Sequence, residues 1–375
     1  MPLDLDVVRS QFPALESGVA FFDNAGGSLV LNGVAERVAD YLLTSSVQIG
    51  ASYAASELAA ARLGEARAKL ARLINAERPE EIVLNATTTI NLRFLATAMA
   101  SQLAPGDEVI VTAFDHESNI GPWLTLEAHG VVIKTWGIDG TTLEPDLDAL
   151  DRLMTERTKL VCVTHASNIL GSIMPIQVIS RLVHDRGARI CVDGVAYAPH
   201  RAIDVRALDV DYYAFSCYKT YGPHFAVLYG KHEQLLELDG LYHYFYGKDK
   251  VPAKLEPGNP SYELAWGCTA IVDYLDGLGG GTGDREAIER AFADIAEHEE
   301  ALSARLLDFL GSRNDLRVIG SSNADRATRV PTICFKVDGH DSAEIVRAAD
   351  AAAIGIRYGD FASRRLVATL GLAPR

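Results

Sequence analysis

Two neighbouring stretches, Ala188-Arg189-Ile190-Cys191-Val192-Asp193 and Tyr212-Tyr213-Ala214-Phe215-Ser216-Cys217-Tyr218-Lys219-Thr220-Tyr221-Gly222-Pro223, decide the fold of this 375-residue chain. Each opens with a short apolar run and closes on a reactive group, a carboxylate in one and an amine in the other. Near-continuous apolar runs of this length are strands covered on both faces. Working outward, five more runs have the same character, at 81–84, 108–112, 131–136, 159–164 and 225–229. Helix-length segments lie between them, among them 119–129 and 177–186. Strand–helix alternation predicts an α/β fold with a mainly parallel seven-stranded sheet and helices on both sides.

Ahead of the sheet, Ala59, Leu63, Ala66, Leu70 and Leu73 recur at three- and four-residue steps, the stripe of an amphipathic helix. After it, residues 248–263 are rich in Pro and Gly and predict a long loop. Helices are expected at 264–278 and 285–309. The glycine-rich stretch 277–283 between them follows no strand and has Thr282 where a dinucleotide fingerprint needs its third glycine, so it is read as a connection. Strands at 316–319 and 332–337 and an Ala-rich helix at 342–353 predict a smaller α+β domain. The expected division is a large domain of residues 15–262 and a small one made of 1–14 and 263–375.

Composition excludes several classes of function. There are 35 basic against 50 acidic side chains, a formal balance of −15, which argues against nucleic acid or an anionic membrane as main partner. No run approaches the ~20 apolar residues that span a bilayer. Residues 1–12 carry Asp4, Asp6 and Arg9 and lack the apolar core of a secretory signal. The five cysteines show no CxxC spacing and no metal-ligand pattern, so a cytoplasmic location is expected. Cys162 and Cys191, inside apolar runs, are read as buried small hydrophobes.

The strand ends carry the chemistry. A lone loop lysine is ordinarily a solvated surface residue, but Lys219 sits between two expected strands, flanked by Ser216, Tyr218 and a Gly-Pro turn. A buried lysine with a depressed pKa is what imine chemistry needs. Asp193 closes a buried strand, where a carboxylate is costly unless paired, and a protonated pyridine nitrogen is a suitable partner; a helix cap or a loop aspartate is the alternative for that residue alone. Asn85-Ala86-Thr87-Thr88-Thr89 opens a helix after a strand and offers hydroxyls and N–H groups to a phosphate. Asp115-His116-Glu117-Ser118-Asn119 places His116 where it could cover a ring, and Thr164-His165-Ala166-Ser167-Asn168 offers Asn168 as a polar contact. Each piece alone has a capping or surface explanation. Together they supply what pyridoxal 5'-phosphate (PLP) requires: an imine-forming lysine, a carboxylate for the pyridine nitrogen, a phosphate cup and a ring cover, all at strand ends.

On these residues, with Phe22-Asp23-Asn24-Ala25-Gly26-Gly27, the run from Asp193 to His200 and the run from Gly258 to Glu263, the chain resembles the class V aminotransferase superfamily, and within it the cysteine desulfurase-like branch. The resemblance implies a fold type I, PLP-dependent enzyme, a homodimer with two shared active sites, and an amino-acid-like small-molecule substrate. It implies that Lys219 carries the cofactor as a Schiff base and moves protons, with His116 stacked on the ring. Asp193 would face the pyridine nitrogen and Val195 the opposite ring face. Ala86, Thr87 and Ser216 would bind phosphate, and Asn168 would sit near the ring hydroxyl and the substrate carboxylate. Ala25 and Gly26 would border the substrate pocket, and Arg357 would hold the carboxylate.

The departures bear on function. Desulfurases of that branch take sulfur as a persulfide on a loop cysteine. The matching stretch here, Arg357-Tyr358-Gly359-Asp360-Phe361-Ala362-Ser363, has none, and Cys334 falls in an expected strand. Tyr218 replaces the usual histidine before the lysine, Ala196 replaces a polar side chain, and Asn259 replaces the threonine that reaches the partner's phosphate. Tyr218 and Asn259 can still donate hydrogen bonds to phosphate. Relatives of that branch continue beyond the position of Leu370-Gly371-Leu372 with an arginine for the substrate carboxylate, so either the chain is trimmed here or that anchor is absent. The expectation is C–S lysis, another β-elimination or replacement, or a transamination-type step without a persulfide. A true desulfurase or selenocysteine lyase, and a non-catalytic binding subunit, are the alternatives.

Overall fold

The computed structural model describes residues 3–372. Its main sheet has seven strands: β1 Ile82–Asn85, β2 Glu108–Thr112, β3 Val132–Trp136, β4 Thr158–Thr164, β5 Arg189–Asp193, β6 Tyr212–Ser216 and β7 Ala226–Gly230. Their order is β1-β7-β6-β5-β4-β2-β3. All neighbours run parallel except β7, which is antiparallel to both β1 and β6.

The apolar runs form strands because alternate side chains enter two separate cores. Val161, Val163, Ile190, Val192, Tyr213 and Phe215 pack on one face; Leu160, Cys162, Cys191, Tyr212 and Ala214 pack on the other. Each large aliphatic chain so buried contributes roughly 1.5–3 kcal/mol. Only edge strand β3 is largely open to solvent. Cys162 and Cys191, buried side by side in register, are the packing residues expected.

Helices cover both faces. They include α1 Asn32–Thr44, α2 Ala54–Leu73, α3 Thr88–Met99, α4 Ile176–Asp185, α5 Tyr262–Leu278 and α6 Arg285–Gly311. In α2 the five residues of the apolar stripe are all buried, and the helix packs on α5. In α4 the buried Ile176, Ile179 and Val183 lie on one face. Helix α6 starts where Asp284 accepts the Ala287 N–H at 2.8 Å. The expected helix over 119–129 is instead three short pieces, Glu117–Asn119, Gly121–Leu124 and Thr125–His129. Pro122 has no N–H to give, so the ladder cannot run unbroken through it, and the proline sits instead in the first turn of the middle piece.

Beyond α6, β8 Leu316–Ile319 pairs antiparallel with β9 Cys334–Val337, followed by α7 Ser342–Ala351. Ala20–Phe21 pairs in parallel with Ile354–Gly355, which ties the start of the chain to its end. Strand register then aligns the site. Asp193 lies between Thr164 of β4 and Ala214 of β6, and Ser216 and Asn85 both pair with Ala226.

Candidate active site

Strand β6 ends at Ser216, and Cys217–Lys219 forms one tight turn. The Cys217 carbonyl accepts the N–H groups of Thr220 at 2.8 Å and Gly222 at 2.9 Å. A side chain at Gly222 would lie 2.6 Å from Ile271 and 3.1 Å from the Cys217 carbonyl, so the turn requires glycine. This turn holds Lys219 only 8% exposed. Burial lowers its pKa below that of an ordinary lysine. Asp193 and Asp23 oppose the effect without reversing it, and Arg357 reinforces it. Its Nζ stands 5.9 Å from the centre of the Tyr218 ring.

Asp193, at the end of β5, is 3% exposed. Its Oδ1 accepts the Val195 N–H at 2.9 Å. Burial raises its pKa; that amide and the charges of His116 and Lys219 do not cancel the effect. Asp115 is buried nearby, fixed by Asn119 Nδ2 at 2.7 Å and the His116 N–H at 2.8 Å. Its pKa is also raised, first by burial and then by the charge of Asp193. Two buried carboxylates thus share a region short of positive charge.

His116 is half-buried beside them. Its Nδ1 accepts the Ser118 N–H at 3.1 Å and lies 2.7 Å from Ser118 Oγ, which assigns the ring proton to Nε2. Burial lowers its pKa, which favours the neutral imidazole, and the charge of Asp193 opposes this without reversing it. Behind Asp193, His165 stacks on Tyr197 at 3.5 Å and bonds to the Tyr213 hydroxyl at 2.8 Å. A side chain at Gly194 would fall 2.1 Å from the Tyr213 ring, so glycine there lets the chain leave β5 against this packing.

Helix α3 begins next to Ser216. Thr87 caps it, its Oγ1 accepting the Ile90 N–H at 3.1 Å. Ala86 and Thr87 are exposed, whereas Thr88 is buried with its Oγ1 2.7 Å from Ser216 Oγ. Exposed N–H groups, hydroxyls and the positive end of a 12-residue helix converge there, the setting of an anion site.

A cleft brings together Lys219, Asn168, Val195 and Ala25. Asn24, Ala196, His200 and Thr332 line it as well. The first three fall inside the motif runs of the sequence; Ala196 is singled out there by the resemblance, whereas nothing local marks Asn24 and His200 as lining residues. Thr88 and Ser118 escape a sequence reading in the same way, because a run of polar residues does not say which one turns inward. Arg357 flanks the cleft in a bidentate pair with Asp23, through Nε at 3.0 Å and Nη2 at 2.6 Å. A side chain at Gly26 would meet the Arg357 guanidinium at 2.9 Å, so Gly26 makes room for that pair. The Tyr218 ring stacks on His224 at 4.9 Å, and its backbone carbonyl accepts the Ser28 N–H at 3.0 Å. Asn259 is exposed with φ 67°, outside the cleft.

A lysine whose charge is disfavoured, a buried carboxylate short of cations, a neutral imidazole and an open helix start fit PLP, and the fold is that of a fold type I PLP-dependent protein. The aminotransferase class-V family model matches residues 20–373, and the chain belongs to that family. It is similar to the aminotransferase-like protein FGM3 of Gibberella zeae, 44% identical over 380 residues, covering 98% of this chain and 91% of the relative. It is 35% identical over 352 residues to the cysteine desulfurase-like protein ustD of Aspergillus flavus, covering 92% and 77%. Among solved structures, the cysteine desulfurase CsdA (S-sulfonic acid) from Escherichia coli matches with TM-score 0.84 and 28% identity, over 99% of this chain and 92% of that one.

Proposed function

We propose that this chain is a PLP-dependent lyase or transferase acting on an amino acid or amino-acid-like metabolite without a persulfide intermediate. The observation that carries the reading is the meeting of Lys219, Asp193 and His116 at the C-terminal ends of the parallel strands β6, β5 and β2, where the charge of each acts on another. When bound, the cofactor supplies an electron sink for a bond broken at the substrate α-carbon. Asp193 keeps a proton on the pyridine nitrogen. Burial is costly for a lone carboxylate, and a ring N–H⁺ offsets that cost. Burial disfavours the charge on Lys219 and so favours its neutral amine, the form that attaches to an aldehyde and carries a proton to or from a carbon acid. His116 and Val195 would hold the ring between them, one against each face. Ala86, Thr87 and Ser216 hold the phosphate at the start of α3, with Thr88 buttressing Ser216.

Arg357 takes the substrate carboxylate. Asp23 occupies its Nε and Nη2, which leaves Nη1 for that contact. Tyr218 and Asn259 are phosphate donors, Asn259 toward the site of a second copy in a homodimer; its exposure outside its own cleft supports this role. The cysteines support a reaction without a persulfide step. Cys162, Cys191, Cys217 and Cys268 are buried. Cys334, in β9, has its thiol pushed up to about 11 by burial, far from a reactive thiolate.

Absorption spectroscopy of the PLP-loaded protein with a panel of amino acids tests the proposal. A visible band that one amino acid perturbs, with release of keto acid or ammonia and no protein persulfide, is the expected result. A protein-bound persulfide after incubation with cysteine would overturn it.

A further inference from the structure

The resemblance to desulfurases sets residues 357–363 against the loop that carries their nucleophile. Here they are bonded to two strand ends of the site. Asn168 Nδ2 donates to the Phe361 carbonyl at 3.1 Å, and Ser363 Oγ donates to Asn168 Oδ1 at 2.8 Å. Between these bonds, the Ala362 carbonyl accepts the N–H of Glu117, next to His116, at 2.7 Å. Arg365 adds an ion pair with Glu117 at 3.3 Å.

Two features mark this as more than ordinary loop packing. Phe361 and Ala362 both adopt the left-handed region, with φ 47° and 56°. That conformation is unfavourable for residues with a Cβ and persists only where surrounding contacts impose it. Ser363 stands at the N-terminus of the helix Arg364–Thr369, where a serine hydroxyl ordinarily accepts a helix N–H. It makes no such cap. The buried hydroxyl, on a residue 1% exposed, is turned to Asn168 instead.

A carboxamide has one oxygen acceptor and two N–H donors, and the two ends exchange places if the group rotates by half a turn. Ser363 as donor and the Phe361 carbonyl as acceptor together admit only one orientation. In it, Oδ1 and one N–H are spent on the loop, and the second N–H remains. We infer that Ser363 and Phe361 form a positioning clamp that fixes Asn168 as a hydrogen-bond donor into the cleft, toward an anionic oxygen. That oxygen belongs either to the cofactor ring hydroxyl or to the substrate carboxylate. The clamp rests on the PLP reading of the site. It gives the cysteine-free loop a fixed structural task in place of a chemical one.

The test compares PLP-loaded wild type, Ser363→Ala, Ser363→Thr, Asn168→Ala and the Asn168→Ala/Ser363→Ala double variant. Two quantities are read: the pH midpoint of the visible band without substrate, and the concentration of the responsive amino acid that half-shifts the band. Ser363→Ala is expected to move at least one of them threefold or more, which is about half a pH unit for the midpoint. Ser363→Thr, which keeps the hydroxyl, should restore it, and the double variant should add nothing to Asn168→Ala. A change in the midpoint alone assigns the cofactor oxygen, and a change in amino-acid affinity alone assigns the carboxylate; either supports the clamp. Wild-type values for both quantities in Ser363→Ala, or an additive double variant, overturn it. If Ser363→Ala does not fold, Asn168→Ala is compared with Asn168→Ser, which keeps a donor: partial rescue by serine supports the clamp, and equal loss overturns it. The wild-type band serves as the separate check, because its absence removes the PLP reading itself.

Discussion

Two aspartates at opposite ends of neighbouring strands are each 3% exposed, yet they are treated in opposite ways. Asp211, just before β6, receives His184 Nε2 at 2.9 Å, the Ile190 N–H at 2.8 Å and Lys231 Nζ at 3.3 Å. Burial alone would raise its pKa, but these partners bring it below the ordinary value. Asp193, at the end of β5, accepts a backbone amide at 2.9 Å and the weaker help of Ser118, and its pKa stays raised. The same sheet neutralises a buried carboxylate at one end and leaves another short of partners at the other. A fold that can fully satisfy such a group, and does so at Asp211, leaves Asp193 under-satisfied, the kind of perturbed buried carboxylate that marks a candidate functional site.

Breaking this contrast should separate function from stability. The largest effect is expected for Lys219→Ala, which should lower turnover of the responsive amino acid by on the order of 10²–10⁴-fold. Its melting temperature should not fall, since a lysine disfavoured by burial is removed. Asp211→Ala should do the reverse. Urea unfolding should show a loss of about 3 kcal/mol, as for removal of one member of a buried ion pair, with the visible band unchanged. Asp193→Asn should weaken PLP binding by about 2 kcal/mol, roughly 30-fold, the scale of a hydrogen bond between charged groups. The cofactor-free variant should unfold no more easily than wild type at pH 8, because the raised pKa of Asp193 means that its ionised form destabilises the empty fold.

A smaller effect should sharpen the picture of the polar layer behind Asp193. His165 is held neutral by burial, its pKa lowered to about 3. The unfolded chain binds a proton below pH ~6.5 that the folded chain refuses. Wild-type stability should therefore fall with decreasing pH below ~6.5, by up to about 1.4 kcal/mol per pH unit, toward pH 3. Unfolding curves of His165→Gln should lack that component of the slope. Least affected should be Arg186→Ala, which loses an exposed pair with Asp151 and should cost under about 0.5 kcal/mol by thermal unfolding.

Most of the sheet is legible in the sequence because its strands are buried on both faces, which writes them as unbroken apolar runs. Lys219, Asp193 and His116 can be found because each follows such a run at the edge where parallel sheets bind ligands. The bonds between distant segments cannot. The Asp23–Arg357 pair and the Ser363–Asn168 contact join residues 334 and 195 positions apart, and no local pattern encodes them. The same limit hides Thr88, whose inward turn depends on where β6 ends. The broken helix around Pro122 has a local signal, the Gly-Pro pair, which the surrounding apolar pattern outweighs.

The most direct measurement is borohydride reduction of the PLP-loaded protein followed by peptide mapping. A single phosphopyridoxyl modification is expected on the peptide that carries Lys219, and none in Lys219→Ala. Modification of another lysine, or no fixed label on the wild-type chain, would contradict the assignment of Lys219 as the cofactor's anchor.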